Sequence, residues 1–479
     1  MSVGKNLDSG LLFKHTHKIF GKIFPKVLAN SYNLVLILLI VTFLSSSVVE
    51  RSAVNRLVAG SNPAWGVKED KRQKMKDKDR VSYFSPNPSP FKDLWSLDPK
   101  VTFLNHGSFG ACPIAVLSFQ QQLRSQLEQE PLRFFTREWE PLLDGAKSRL
   151  AAFVGTDVED VVFVPNATTG VNSVLRSLIF YPTDEILTTN HEYNACRNAL
   201  DFIASRTGAK VVVAQIPFPL DSPQQVVEAV IERVSPKTRL ALLDHVTSQT
   251  GLILPLQELV QQLQARGVDT LVDGAHAPGM IPLNLREIGA TYYTGNCHKW
   301  LCAPKGAAFL YVRRDKHSEI RPLTISHGAN SPRTDKSRFQ LEFDWMGTDD
   351  PTAYMCVPEA IAFLGSLLPG GWDELRQHNH QLALQARQLL CETLEVLPPC
   401  PEEMIGSMAV VPIPSVLENR NFLSIRDELF DRYSIQVQMV PWQETPKLLL
   451  RISAQIYNTI KEYEYLGKAL RELIAESGG

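Results

Sequence analysis

Three short stretches of the chain carry residue types that could do chemistry. Asp273-Gly274-Ala275-His276 follows the apolar run Thr270–Val272, so a carboxylate stands at the end of a buried strand, where a missing partner is costly. A single aspartate in that position most simply caps a helix or joins an ion pair. Thr294-Gly295-Asn296-Cys297-His298-Lys299-Trp300 sets a lysine 26 residues beyond that aspartate. Taken alone, such a lysine is most often a surface side chain reaching for solvent. Asn166-Ala167-Thr168-Thr169-Gly170 is a small polar turn opening a helix. Its free N–H groups and positive dipole end suit a phosphate, although an ordinary helix cap has the same composition.

The three stretches together answer the needs of one cofactor. Pyridoxal 5'-phosphate requires a lysine for a Schiff base, a carboxylate for its pyridine nitrogen and an anion cradle for its phosphate. These residues must be held by regular elements, and the chain from about Tyr83 alternates short apolar strands with amphipathic helices. Strands are expected at Val161–Val164, Ile186–Thr189, Val211–Ala214, Leu240–Leu243 and Thr270–Val272. Helical patterns follow Val171 and run through Ile203, and Leu256, Leu259, Val260 and Leu263 mark one helix face that Gly267 closes. This order predicts an α/β fold with a mainly parallel sheet, whose ligands sit at the carboxyl ends of the strands. Beyond Pro358 a long helix is expected over Trp372–Leu397, with strands at Met408–Pro412, Ile435–Val440 and Leu448–Ile452. Residues 83–357 then form a large domain and 358–479 a smaller α+β domain closing over it.

Five blocks, LNHGSFG (Leu104–Gly110), HEYNAC (His191–Cys196), DHVTSQTG (Asp244–Gly251), VDGAHAPG (Val272–Gly279) and NCHKWLCAPKG (Asn296–Gly306), occur in order. Through them the chain, from about Leu94 to Leu473, resembles the class V aminotransferases of the fold-type I PLP-dependent transferase group. It looks most like the isopenicillin N epimerase-like and cysteine desulfhydrase-like members. The resemblance implies a Lys299 aldimine, with the freed lysine serving as base at Cα, and Asp273 paired with the pyridine nitrogen. It implies His276 at the ring edge, Tyr193 stacked on the ring and Ser248 near it. Ala167, Thr168, Asn296 and His298 would hold the phosphate, and Gly347 and Thr348 would reach the phosphate of the other subunit of a homodimer. Arg451, in LLLRISAQIYN, would bind the carboxylate of an amino-acid substrate, with Asn105 facing that substrate. Desulfurases of this class carry sulfur on a mobile cysteine upstream of the arginine. Here no Cys lies between Pro401 and Arg451 or in the loop Ser326–Phe343, which disfavours persulfide carriage.

Composition divides the chain in two. Residues 1–80 hold 14 Lys+Arg against 6 Asp+Glu, and residues 81–479 hold 35 against 45. The acidic body argues against a nucleic-acid binder. Residues 1–82 read as a basic tail. The apolar run Leu34–Leu44 spans roughly 17 Å as a helix against about 30 Å of hydrocarbon. The uncharged stretch 27–49 is long enough for a single anchor. Ser45–Gly66 resembles the conceptual translation of a transfer-RNA gene through its Gly60–Pro63 stretch, so an overextended start, with the true one at Met75, is the expectation. A membrane role is accordingly not expected. Seven scattered cysteines without CxxC spacing suit a reducing, cytoplasmic compartment and give no zinc signature.

The expected activity is labilisation of the Cα hydrogen of an amino acid. Epimerisation, transamination and β-elimination all lie open from there, with a cysteine β-lyase as the second choice to an epimerase. A catalytically inactive PLP-binding homologue tethered to a membrane is the alternative from another class, and the intact Lys299, Asp273 and Arg451 argue against it.

Overall fold

The computed structural model describes residues 88–418 and 420–477. The basic tail, the 27–49 stretch and Met75 lie outside the described residues. Among the described residues no helix is long and apolar enough to cross a membrane.

The first strand, β1 (Thr102–Phe103), is short and belongs to a two-stranded sheet described below. Then come β2 (Val161–Val164), β3 (Glu185–Thr189), β4 (Lys210–Ala214), β5 (Thr238–Asp244), β6 (Asp269–Asp273), β7 (Tyr292–Asn296) and β8 (Ala308–Val312). They form one seven-stranded sheet in the order β2-β8-β7-β6-β5-β3-β4. Neighbours from β7 to β4 pair in parallel, while β8 runs against both β2 and β7, so β8 alone is reversed. Nearly continuous burial along β2, β5, β7 and β8 is what a sheet covered on both faces demands. The expected strands are present, β2 with the expected bounds and the other four longer by one to three residues, and β7 and β8 join them. The helix Leu256–Gln264 buries Leu256, Leu259, Val260 and Leu263 on one stripe, each contributing roughly 1.5–3 kcal/mol.

A second, antiparallel sheet has the order β11-β12-β9, from β9 (Met408–Pro412), β11 (Gln438–Pro441) and β12 (Leu448–Ser453). The helices Gly371–Leu394 and Ile460–Ser477 pack against each other over it. Two expectations are corrected here. The long helix stops at Leu394 because Glu395 turns left-handed (φ 55°) and Pro398-Pro399 follow, which a helix cannot continue through. The run Ile435–Val440 is not one strand: β10 (Ile435–Gln436) pairs in parallel with β1, and β11 starts afresh after Val437 on the other sheet. The β1–β10 pair matters for the site. It ties the segment before Asn105 to the second sheet, and Leu104 extends the link by accepting the Ser453 N–H at 3.0 Å. Asn105, His106 and Ser108 are thereby delivered beside β12.

Candidate active site

The carboxyl ends of β2, β3, β5, β6 and β7 supply most of the polar residues of interest. Strand register sets Asp244 beside Asp273 and Asp273 beside Thr294. Asp273 is buried; its Oδ1 accepts the Ala275 N–H at 2.9 Å and its Oδ2 accepts the Cys196 thiol at 3.1 Å. Glu192, just beyond β3, joins them, with one side-chain atom each of Glu192, Cys196 and Asp273 lying within 4.8 Å of one another. Glu192 accepts hydrogen bonds from the Thr188 hydroxyl (3.0 Å) and the Tyr193 N–H (3.1 Å), while Asp244 Oδ2 has no partner among the described residues. Three buried carboxyls this close cannot all ionise. Burial first, and then repulsion from the neighbouring carboxyls, pushes Glu192 and Asp244 well above the usual carboxylate range. Burial and Asp273 likewise push the Cys196 thiol up. Cys196 therefore keeps its proton at neutral pH, and the charged forms of Glu192 and Asp244 are disfavoured.

Lys299 sits in the turn that follows β7, with Nζ 3.1 Å from His276 Nε2. Burial lowers its amine to about 8, against the opposing pull of Asp273. Burial and the Lys299 charge hold His276 well below its ordinary value, so the ring is neutral. The Trp300 indole N–H points at His276 Nδ1 from 3.4 Å. Because an indole nitrogen only donates, Nδ1 is the acceptor on that side, and an Nε2–H can donate to Lys299 Nζ only when that amine is neutral. The backbone of Lys299 is held as well. His106, kept neutral by burial at about 3, donates Nε2–H to the Lys299 carbonyl (3.1 Å) and accepts the Tyr457 hydroxyl at Nδ1 (2.7 Å). Gly110 (φ 69°) lies so close that a Cβ would collide with the His298 carbonyl oxygen. A glycine is what allows the 105–110 segment to lie on the lysine turn.

Arg451, in the middle strand of the second sheet, is buried. Its guanidinium donates to the Ser248 carbonyl, to Ser108 Oγ (2.8 Å) and to Asn105 Oδ1 (3.4 Å), while Nε has no partner. No carboxylate pairs with it among the described residues. Burial lowers it to about 10, so it remains a cation at neutral pH. A buried cation without a counter-ion is expensive, and the arrangement suits an anion brought from outside the chain. Tyr193, which precedes the helix Asn194–Thr207, feels both halves of the site: burial, Cys196 and Asp273 raise its hydroxyl and Arg451 lowers it.

At the end of β2 the helix Ala167–Ser177 begins. Asn166 Oδ1 caps the Thr169 N–H at 2.8 Å, and the Ala167 N–H goes to Asn296 Oδ1 at 2.9 Å. Thr168 N–H has no protein acceptor among the described residues. His298, kept neutral by burial at about 4, donates Nδ1–H to the Ala307 carbonyl at 3.0 Å. Gly347 and Thr348 stand apart from Lys299. They are exposed on the wall of a cavity of about 350 Å³ that also includes Pro165 and Thr169.

Lys299, Asp273, His276, Tyr193, Arg451 and Asn105 thus come together, with Ala167, Thr168 and Asn296 at the helix start and His298 on the lysine turn, bonded to Ala307. Ser248 reaches the group through its backbone carbonyl, which Arg451 uses. Ala167 N–H is already spent on Asn296. His106, Ser108, Glu192, Cys196, Asp244 and Trp300 join the site without having been expected there; all six lie inside the five blocks, whose polar residue types are the only signal for them in the sequence.

The profile described as Aminotransferase class-V matches residues 125–420. The chain belongs to the class-V aminotransferase family. Among the relatives of this class-V chain, the isopenicillin N epimerase of Amycolatopsis lactamdurans is 36% identical over 394 residues, covering 79% of this chain and 96% of that one. An L-cysteine desulfhydrase of Arabidopsis thaliana is 28% identical over 410 residues, covering 78% and 88%. The fold is that of an apo cysteine desulfurase from Thermococcus onnurineus NA1, with a TM-score of 0.68 at 19% identity over 82% of this chain and all of that one. A cystine C–S lyase solved with its product cysteine persulfide gives 0.66 at 23% identity, covering 77% and 97%.

Proposed function

We propose that this class-V chain is a pyridoxal 5'-phosphate enzyme that labilises the Cα hydrogen of an amino acid, with epimerisation as the outcome, acting as a cytoplasmic homodimer. The observation that carries the reading is a buried lysine amine of lowered basicity, set between a neutral histidine and a buried aspartate, with a buried arginine lacking a carboxylate nearby. The residues present fit the cofactor. Lys299 would hold it through its amine, Asp273 would face its ring nitrogen, and the free Thr168 N–H with the remaining polar atoms of Asn296 and His298 would face its phosphate. Gly347 and Thr348, on their exposed wall, would serve the partner subunit's phosphate. When bound, the cofactor supplies an electron sink for the charge left at Cα.

The chain's own groups do the rest. Arg451 fixes the substrate carboxylate with its planar fork while Asn105 and Ser108 hold the guanidinium in orientation. Tyr193 would lie against the cofactor ring, and His276 holds the Lys299 amine in place. The freed Lys299 amine takes the Cα proton, since lowering to about 8 raises its neutral, basic fraction near neutral pH far above that of an ordinary lysine. Epimerisation further needs a proton delivered from the opposite face. β-Elimination from cysteine is the second reading, favoured by the desulfhydrase relatives. It needs no sulfur-carrying cysteine, and all seven cysteines are buried.

A panel of L-amino acids incubated with the holoenzyme in D2O tests the proposal. Deuterium at Cα with chiral inversion is expected. Sulfide or keto acid without inversion would move the assignment to the lyase or transaminase branch, and no exchange with any amino acid despite bound cofactor would overturn it.

Two consequences can be measured directly. Arg451→Ala should weaken amino-acid binding about 10- to 100-fold, the worth of a charge-assisted hydrogen-bonded pair, with cofactor content unchanged. An absorbance titration of the bound cofactor reads this. The apoenzyme's capture of pyridoxal phosphate needs the unprotonated Lys299 amine. Its rate should climb about tenfold per pH unit and level off near pH 8, whereas an unperturbed lysine would carry the climb beyond pH ~10.

A further inference from the structure

Three buried carboxyls crowd the ends of β3, β5 and β6, and the donors each one holds decide where a negative charge can rest. Asp273 accepts the Ala275 N–H on Oδ1 and the Cys196 thiol on Oδ2. Glu192 also holds two donors, the Thr188 hydroxyl on one oxygen and the Tyr193 N–H on the other. Asp244 Oδ2 is buried with no partner among the described residues, which makes Asp244 the poorest host for a charge. The nearby cations are divided. Lys299 favours charge on Asp273 and Asp244, while Arg197, itself paired with Asp201, favours it on Glu192.

Resting on the reading that Asp273 faces the cofactor's ring nitrogen, we infer that Cys196 is a positioning residue whose thiol settles the negative charge on Asp273 rather than on Glu192. Geometry is the first argument. Cys196 is the third residue of the helix Asn194–Thr207, is fully buried, and sets its Sγ 3.1 Å from Asp273 Oδ2. One side-chain atom each of Glu192, Cys196 and Asp273 lies within 4.8 Å of the others, so a charge on either carboxyl opposes a charge on its neighbour. The donor balance is the second argument. With the thiol in place the two carboxyls hold two donors each. Without it Asp273 keeps only a backbone N–H, and Glu192 gains the advantage. A hydrogen bond to a charged group is worth about 10- to 100-fold in an equilibrium, and a thiol, a weak donor, supplies the lower end. The state of the sulfur is the third. Burial and Asp273 push the Cys196 thiol up, so it remains a donor to the carboxylate and does not become a rival anion.

The test uses holoenzyme carrying pyridoxal phosphate labelled with nitrogen-15 in the ring, whose resonance reports whether that nitrogen is protonated. Cα–H exchange per mole of bound cofactor is measured beside it. In Cys196→Ala the resonance should move toward that of the unprotonated ring and exchange should fall about tenfold, with cofactor content unchanged. Cys196→Val, which fills the space without a donor, should behave the same way. Cys196→Ser, whose hydroxyl can donate, should stay near the wild type. The decisive variant joins Cys196→Ala to Glu192→Gln. Removing the rival carboxyl should return the charge to Asp273 and recover both signals, whereas a packing role for Cys196 predicts a double variant at least as impaired as the single one. A ring nitrogen still fully protonated in Cys196→Ala and Cys196→Val, or a double variant without recovery, would overturn the inference and leave the proposed function intact. A wild-type ring nitrogen that carries no proton, with a resonance unmoved by Asp273→Asn, would instead remove the placement of Asp273 on which the inference rests.

Discussion

Replacing Lys299 with alanine should abolish the borohydride-fixed attachment of cofactor to the chain and lower turnover by more than about 10⁴-fold. One side chain supplies both the tether and the proton-transfer group, and positioned proton transfer alone is worth about 10²–10⁴. Two other part-buried or buried lysines could be suspected of the role, and their contacts argue against both. Lys305 donates its ammonium to the Gly110 carbonyl at 2.8 Å, and Lys147 is held by Asp344 at 2.9 Å and Gln340 at 2.6 Å. Peptide mapping of reduced enzyme decides the matter, and label on Lys305 in the variant would refute the assignment. The variant should also fold. Lys299 is lowered from 10.5 to about 8 in the native state, so between those values the unfolded chain binds the extra proton and wild-type apoenzyme gains stability as pH rises. That gain should vanish in Lys299→Ala, which gives a readout of the buried amine independent of turnover.

The sheet was legible because parallel strands covered on both faces read as unbroken apolar runs, as in Val161–Val164 and Leu240–Leu243, and because the polar blocks that follow them stand out. Where the chain changes sheets, that signal fails. Ile435–Val440 has one continuous pattern, yet Val437 separates a pair made with β1 from one made with β12, and nothing local distinguishes the two partners. In the site, groups near each other in sequence were recognisable: Asp273 with His276, and Lys299 with His298. The contacts that complete it cross the whole chain. Arg451 meets Ser108 at a separation of 343 residues, and His106 holds the Lys299 carbonyl at a separation of 193. Such pairings depend on strand register and on the β1–β10 link, which no spacing in the sequence encodes. The acidic cluster was hidden for the same reason. Glu192, Asp244 and Asp273 end three different strand segments and become neighbours only through sheet order.

That cluster makes Asp273→Asn the more discriminating experiment. The substitution keeps the shape and the acceptor for the Ala275 N–H but removes the charge that would hold a proton on the ring nitrogen. Cofactor should still bind, through Lys299 and the helix start at Thr168. Cα–H exchange per mole of bound cofactor should fall by about 10²–10³-fold, the scale seen when one electrostatic stabiliser is removed. The competing account, in which Asp273 is merely half of a salt bridge, predicts lower stability with near-normal exchange per folded enzyme. No lysine or arginine makes an ion pair with Asp273 among the described residues, and its donors are the Cys196 thiol and a backbone N–H. Loss of the charge should moreover ease the cluster, because Asp273 is one of the repulsions that raise Glu192 and Asp244. The asparagine variant should consequently hold its melting temperature near neutral pH while losing exchange. Deuterium incorporation near the wild-type value, normalised to bound cofactor, would sink the role of Asp273, and a large drop in melting temperature with exchange preserved would favour the structural account.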